Sequence, residues 1–149
     1  MAVLRDDPYG AFNFLLEIAG IVDAGTTSAQ FAEVSGLAAE IAVIEYRTGG
    51  DRVNAVRKLP GLVKYPNIVL KRGVSGDLRL WRWTQQTIQG TVQRLNGSIV
   101  MLDEARNPVV RFTFRRGWPC RYEGPSFSAK GNEVAIETLE ICHEGLEIE

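Results

Sequence analysis

His143 is the only histidine of the chain, so any imidazole base, proton relay or metal ligand would be this residue working without a second ring. The string His143-Glu144-Gly145-Leu146-Glu147 lacks the second histidine that sets two ligands on one helix face, and it sits in a strand-like stretch. Cys120 and Cys142 have no zinc-like spacing, and two cysteines alone argue little for a disulfide. No glycine-rich loop runs into Lys followed by Ser or Thr, and Gly49-Gly50 does not join a strand to a helix. Neither a phosphate cradle nor a dinucleotide fingerprint is therefore present. Nothing local ties a Ser, Cys or Asp nucleophile to a base and an orienting group. The paired carboxylates of glycoside chemistry meet in space rather than along the chain, yet the acids here collect at the C-terminus, where solvation explains them. These residues predict a protein that is not an enzyme, with no catalytic residue, no cofactor site and no metal ligand.

Binding of a single nucleic-acid strand has some support. Lys71, Arg72, Arg79, Arg82, Arg115 and Arg116 lie among Trp81, Trp83, Phe112, Phe114 and Trp118. Stacking platforms need exposed rings, however, and strand alternation turns Phe112 and Phe114 inward. A net charge of −1 and a pI near 5.9 also argue against a whole-molecule nucleic-acid binder.

The elements that must position these residues belong to one domain, residues 1–149, long enough to bury a core without metals or disulfides. No run is apolar over the length of a membrane span, so membrane insertion is not expected. The opening MAVLRDDPYG lacks a signal-peptide core, which predicts a chain cytoplasmic at synthesis.

Turn residues recur between short β-rich runs, the mark of a sandwich or barrel. Phe12, Phe14, Leu16 and Ile18 alternate with Asn13, Leu15, Glu17 and Ala19 as a half-buried strand. Residues 24–30 read as a small polar loop. Further strands are expected at 41–47, broken by Gly49-Gly50-Asp51, and at 67–72. Residues 98–103 and 109–116 form a hairpin around the turn EARNP, with Val110, Phe112 and Phe114 inward and Arg111, Thr113 and Arg115 outward. Residues 120–122 and 132–143 close the chain, the last run long enough to suggest a bulge.

One segment follows a helical period instead. Residues 76–89 open on Ser75 and Asp77 as candidate caps and stop at Gly90. Leu78, Leu80, Trp81 and Ile88 share an apolar arc. The arc assigns Trp81 to the core, while Trp83, at its border, suits either core packing or a protein contact. The predicted class is mainly β: two packed antiparallel sheets in a barrel or sandwich, with one flanking helix.

Charge is unevenly distributed. Residues 47–121 hold 15 Lys or Arg against Asp51, Asp77, Asp103 and Glu104, whereas residues 133–149 hold six Glu and no Lys or Arg. Either the two segments neutralise each other within the fold, or basic and acidic surfaces pair between copies in a head-to-tail assembly.

An ordered set of short motifs resembles the tail-tube proteins of contractile phages and contractile injection systems. It begins with Phe12-Asn13-Phe14 and Phe31-Ala32-Glu33-Val34-Ser35-Gly36-Leu37. It continues with Tyr46-Arg47-Thr48-Gly49-Gly50-Asp51, Lys58-Leu59-Pro60-Gly61, Tyr65, and Asn67-Ile68-Val69-Leu70-Lys71-Arg72-Gly73. Leu80-Trp81-Arg82-Trp83, Gly124-Pro125-Ser126-Phe127, Asn132-Glu133-Val134-Ala135-Ile136-Glu137 and His143-Glu144-Gly145-Leu146 complete it.

The resemblance implies an Hcp-like fold, hexameric rings stacked into a hollow tube, a sheath outside, and baseplate and spike proteins at the tip. The lumen would carry a cargo effector or DNA, and the particle would be a virion tail or an injection particle. The same motifs suit a paralogous tube-initiating or baseplate ring protein, and a monomeric ligand-binding β-barrel is the alternative from another class.

The resemblance also implies that residues 47–61 contact the adjacent ring. From this segment Arg47, Gly49, Gly50, Asp51, Arg52, Val53, Val56, Arg57, Lys58, Leu59 and Pro60 are the expected contact residues. Leu78, Trp81 and Trp83 are expected to serve helix packing or a subunit contact. The basic residues of the segment would meet the acidic C-terminal side of the next ring, with Val53, Val56 and Leu59 supplying adhesion.

Overall fold

In the computed structural model, which describes residues 5–22 and 31–149, nine strands and one helix follow one another. The loop expected at 24–30 lies outside the described residues. The strands are β1 (Phe14–Ile18), β2 (Glu33–Ser35), β3 (Glu40–Tyr46), β4 (Arg57–Lys64) and β5 (Ile68–Gly73). After the helix α1 (Arg79–Ile88) come β6 (Leu95–Leu102), β7 (Pro108–Glu123), β8 (Ile136–Cys142) and β9 (Gly145–Ile148). All pairings are antiparallel.

The main sheet has the order β1-β6-β7-β8-β5-β2, with β9 also on β7. β7 organises it. Its first half pairs with β6 and β9, its second half with β8, and the strand turns between them at Arg116, whose φ is +53°. Two layers result that share one long strand. The arrangement is sandwich-like and does not close into a barrel within one chain.

The core lies between the layers and holds Leu16, Ile18, Ile68, Leu70, Leu80, Trp83, Phe114, Leu139 and Ile141. Phe114 requires two glycines: a Cβ at Gly97 would meet its Cζ at 2.4 Å, and a Cβ at Gly117 its Cε2 at 2.6 Å. Leu16 and Ile18 point inward as alternation predicts, but β1 begins only at Phe14 and leaves Phe12 exposed. The expected hairpin around EARNP is present. Asp103 closes its turn by accepting the Asn107 N–H at 2.8 Å, and Arg106 takes the left-handed conformation at φ +66°. The suspected bulge in the last strand is a break at His143-Glu144. The chain stays on the same edge of β7 across it, because the Glu144 N–H donates to the Arg115 carbonyl at 3.0 Å.

The helix differs from its apolar arc. Leu78 is the N-cap; Asp77, one residue before it, accepts the Arg79 N–H at 3.0 Å, and Gly90, at φ +94°, follows the C-cap Gln89. The face laid on the core, however, is Leu80, Trp83 and Thr84. Trp83 is 1% exposed, its indole N–H donating to the Gln93 carbonyl at 2.9 Å, whereas Trp81 is 36% exposed and lies against Tyr122 with ring centroids 5.1 Å apart. The assignment of Trp81 to the core is thus corrected. Thr84 explains the rotation: its hydroxyl bonds back to the Leu80 carbonyl at 3.0 Å, so a nominally polar position enters the core fully satisfied.

Burial also shows how the charge is balanced. Glu137, Glu140 and Glu144 pair within the chain with Arg72, Arg121 and Arg116. Half of the acidic C-terminal segment is therefore spent on its own basic neighbours, which favours neutralisation within the fold over pairing between copies.

Candidate assembly surface

β3 and β4 form a separate two-stranded ribbon. Among the described residues no other strand or helix touches it. The residues expected as a loop up to 61 are divided: 47–56 is the turn, while Arg57, Lys58, Leu59 and Pro60 are strand residues opposite Tyr46, Glu45, Ile44 and Val43. The motif Leu59-Pro60-Gly61 reads as a turn, which hid β4. Proline is tolerated because both strands of a ribbon are edges, and the ribbon absorbs Gly61 in a register shift.

The ribbon is apolar on both faces. One carries Ala42, Ile44, Tyr46 and Leu59, the other Ile41, Val43, Pro60 and Val63, and Ile41, Val43, Ile44, Tyr46, Leu59, Leu62 and Val63 are all exposed. Glu45 opposite Lys58 and Glu40 opposite Lys64 mark its two ends with opposite charges. An isolated two-stranded hairpin is marginal in water, so so much exposed apolar surface calls for a covering partner.

Its turn has a defined shape. The Arg47 guanidinium donates to the carbonyls of Val53 and Asp51, each at 3.2 Å, and to Asn54 Oδ1 at 3.3 Å. Asp51 accepts the Thr48 N–H at 3.0 Å and its hydroxyl at 2.9 Å, and lies 4.0 Å from Arg57. Gly49 and Gly50 have nothing within 4 Å of a built Cβ. Arg52, Val53 and Val56 are exposed along the rim. The expected contact residues therefore form one structure, a braced turn on an apolar ribbon.

On the β2-β5-β8-β7 layer an open groove of about 460 Å³ runs between α1 and β7, lined by Trp81, Thr84, Ile88, Trp118, Cys120 and Tyr122. Leu78 is exposed at the start of the helix. Burial raises the Tyr122 hydroxyl to about 12, assisted by its 2.7 Å hydrogen bond to Glu137. Glu137 also takes the Arg72 Nε at 2.5 Å, and Arg72 is 2% exposed. Asp77 titrates below its ordinary value: burial pushes it upward, but hydrogen bonds from the backbone and side chain of Arg79 outweigh this.

The chemistry-bearing residues serve packing. His143 is buried with Nδ1 2.9 Å from the Gly145 carbonyl and Nε2 3.1 Å from that of Pro66, between the rings of Tyr65 and Phe114. Cys120 and Cys142 are free thiols on adjacent strands. Burial, then the neighbouring Cys142, pushes the Cys120 thiol up to about 11, which leaves it protonated and a poor nucleophile near neutrality. Among the described residues no three His, Cys, Asp or Glu side chains gather as a metal site.

Sequence reasoning missed the ribbon's second strand and the exposed Phe127 and Val134. Phe127 stands among Gly and Ser residues, whereas Val134 falls in the run 132–143 expected as strand, of which only Ile136–Cys142 pairs as β8.

Comparison with known proteins gives a consistent picture. The family model described as T4-like virus tail tube protein gp19 matches residues 10–147. The fold is shared with a chain of the anti-feeding prophage baseplate, 6-fold symmetrised, at 26% identity and a TM-score of 0.84, covering 97% of each chain. A chain of an extracellular contractile injection system, the PVC sheath-tube complex in its extended state, aligns at 23% identity and TM-score 0.84 over 97% of this chain and 93% of that one. Hcp1 from Flavobacterium johnsoniae is more distant, at 14% identity and TM-score 0.54 over 91% of this chain and 93% of its own. No curated protein matches the chain.

Proposed function

The chain belongs to the T4-like virus tail tube protein family, and from that premise we propose that copies of it form hexameric rings that stack into a hollow tube. A sheath surrounds this tube, baseplate and spike proteins sit at its tip, and its lumen passes a cargo effector or DNA. The protein acts as a structural subunit and performs no chemical step. The observation that carries this reading is the β3–β4 ribbon: both faces are apolar and no strand or helix among the described residues covers them. The outer strands β1 and β2, each paired on one side among the described residues, add edges that another copy can complete. Residues 47–60 form the ring-to-ring contact, and Leu78 and Trp81 a second contact, while Trp83 serves the helix packing alone.

The test is the assembly state of the purified protein, followed by light scattering and negative-stain microscopy. Rings and tubes are expected. A species that stays monomeric at every concentration and salt level sinks the proposal. The baseplate relative of comparable length supports a second reading, a tube-initiating ring. That reading predicts rings that never elongate on their own.

A further inference from the structure

The two most exposed large apolar residues described in the chain, Phe127 at 87% and Leu62 at 86%, lie on features attached to opposite ends of one layer. The register establishes this. Ser35, Ile68, Trp118 and Cys142 mark one end of the β2-β5-β8-β7 layer, and the chain leaves it there into β3 and returns from β4. Glu33, Gly73, Ile136 and Glu123 mark the other end, where residues 124–135 connect β7 to β8. That loop is held in place, since the Val74 N–H donates to the Ala135 carbonyl at 3.0 Å and the Gly131 N–H to Ser128 at 3.1 Å. It nevertheless presents Phe127 and Val134 to solvent around a small notch of about 120 Å³.

We propose that the ribbon of one copy docks on the 124–135 loop of a copy in the next ring, with Phe127 and Val134 meeting Leu59 and Leu62. This rests on the tube reading and names the partner of its stacking surface. Symmetry selects the occupant. Two ribbons meeting each other make a self-complementary contact that closes as a dimer, while a tube needs an unlike pair of surfaces that repeats. Charge leaves the contact to the apolar residues: Glu123 is paired with Arg121 at 2.9 Å and Glu133 is offset by Lys130, so the loop end offers Phe127 and Val134 without net charge.

The test uses two variants of the full chain. The first, Phe127→Asp with Val134→Asp, keeps its ribbon; the second, Leu59→Asp with Leu62→Asp, keeps its loop. Each alone should stall at single rings, with ring-to-ring affinity reduced roughly tenfold or more. Mixed, each supplies the surface the other lacks, and the product should be pairs of rings and nothing longer. Tubes of normal length from the first variant overturn the proposal, as does a mixture of stalled rings that yields no pairs. Loss of rings in either variant places the contact inside the ring and also overturns it.

A second measurement avoids charged substitutions. Leu62→Cys with Phe127→Cys, in a Cys120→Ser and Cys142→Ser background, should give a ladder of disulfide-linked multimers from assembled tubes treated with glutathione disulfide. Absence of the ladder from intact tubes counts against the pairing. Wild-type protein that makes neither rings nor tubes sinks the tube reading and this proposal together, whereas tubes from the Phe127 variant sink the proposal alone.

Discussion

The molecule contains two antiparallel hairpins of similar strand chemistry and opposite fate. β6–β7 and β3–β4 both carry runs of apolar residues, yet β6 is buried from Gly97 to Val100 while every residue of β3 is exposed. The first is flanked by β1, β9 and the core around Phe114; the second is flanked by no other described strand or helix. Identical local rules built both. Hydrophobic burial supplies most of the stability of a hairpin, so the exposed ribbon contributes little to the lone subunit and retains its apolar surface for another chain.

The largest expected effect lies in the covered hairpin. Phe114→Ala should lower subunit stability by about 3–5 kcal/mol in a denaturant titration, because the ring fills the slot over Gly97 and Gly117 and leaves a cavity. A loss below about 1 kcal/mol would mean that β6–β7 is no better anchored than the ribbon.

Next comes the ion-pair network at the end of the covered layer. Glu137→Gln removes one carboxylate facing Arg72 in a buried setting while Asp77 stays 3.9 Å from the guanidinium, and a loss of about 2 kcal/mol is expected from the weakened charge-assisted hydrogen bond. The same network sets an alkaline limit. Tyr122 is raised to about 12, so its contribution is complete below the ordinary tyrosine value near 10 and is lost as pH climbs toward 12. Thermal melts between pH 9 and 12 should show stability falling through that window. A flat profile would remove Tyr122 from the network.

The smallest effect on the subunit belongs to the ribbon and completes the contrast. Leu62→Asp should change unfolding of the isolated subunit by less than about 0.5 kcal/mol, since the side chain already faces water, while its effect on assembly is severe. A large loss of monomer stability would show that the ribbon is covered by its own chain in solution.

Much of this was legible in the residues. Period-two alternation gave Leu16 and Ile18 their face, EARNP its turn and Gly90 its helix stop, all from backbone sterics acting within a few residues. The ordered motifs from Phe12 to Leu146 carried the family resemblance. Other features depended on distant partners. Trp83, open between core and protein contact in the sequence, packs in the core beside a self-satisfied Thr84, and Trp81 is displaced toward the surface. Pro60 sat inside a strand because that strand has a free edge.

By itself, then, the sequence determined where strands, turns and the helix form, because pleat, φ restriction and capping are local. Only the tertiary structure decided which apolar faces are covered, since burial depends on what pairs across long stretches of chain. Glu137 meets Arg72 because β8 happens to lie beside β5, while Ile44 and Leu59 pair with each other across the ribbon. An alternating strand reads the same whether its apolar side faces its own core or another molecule, and the difference lies in the neighbours that topology supplies.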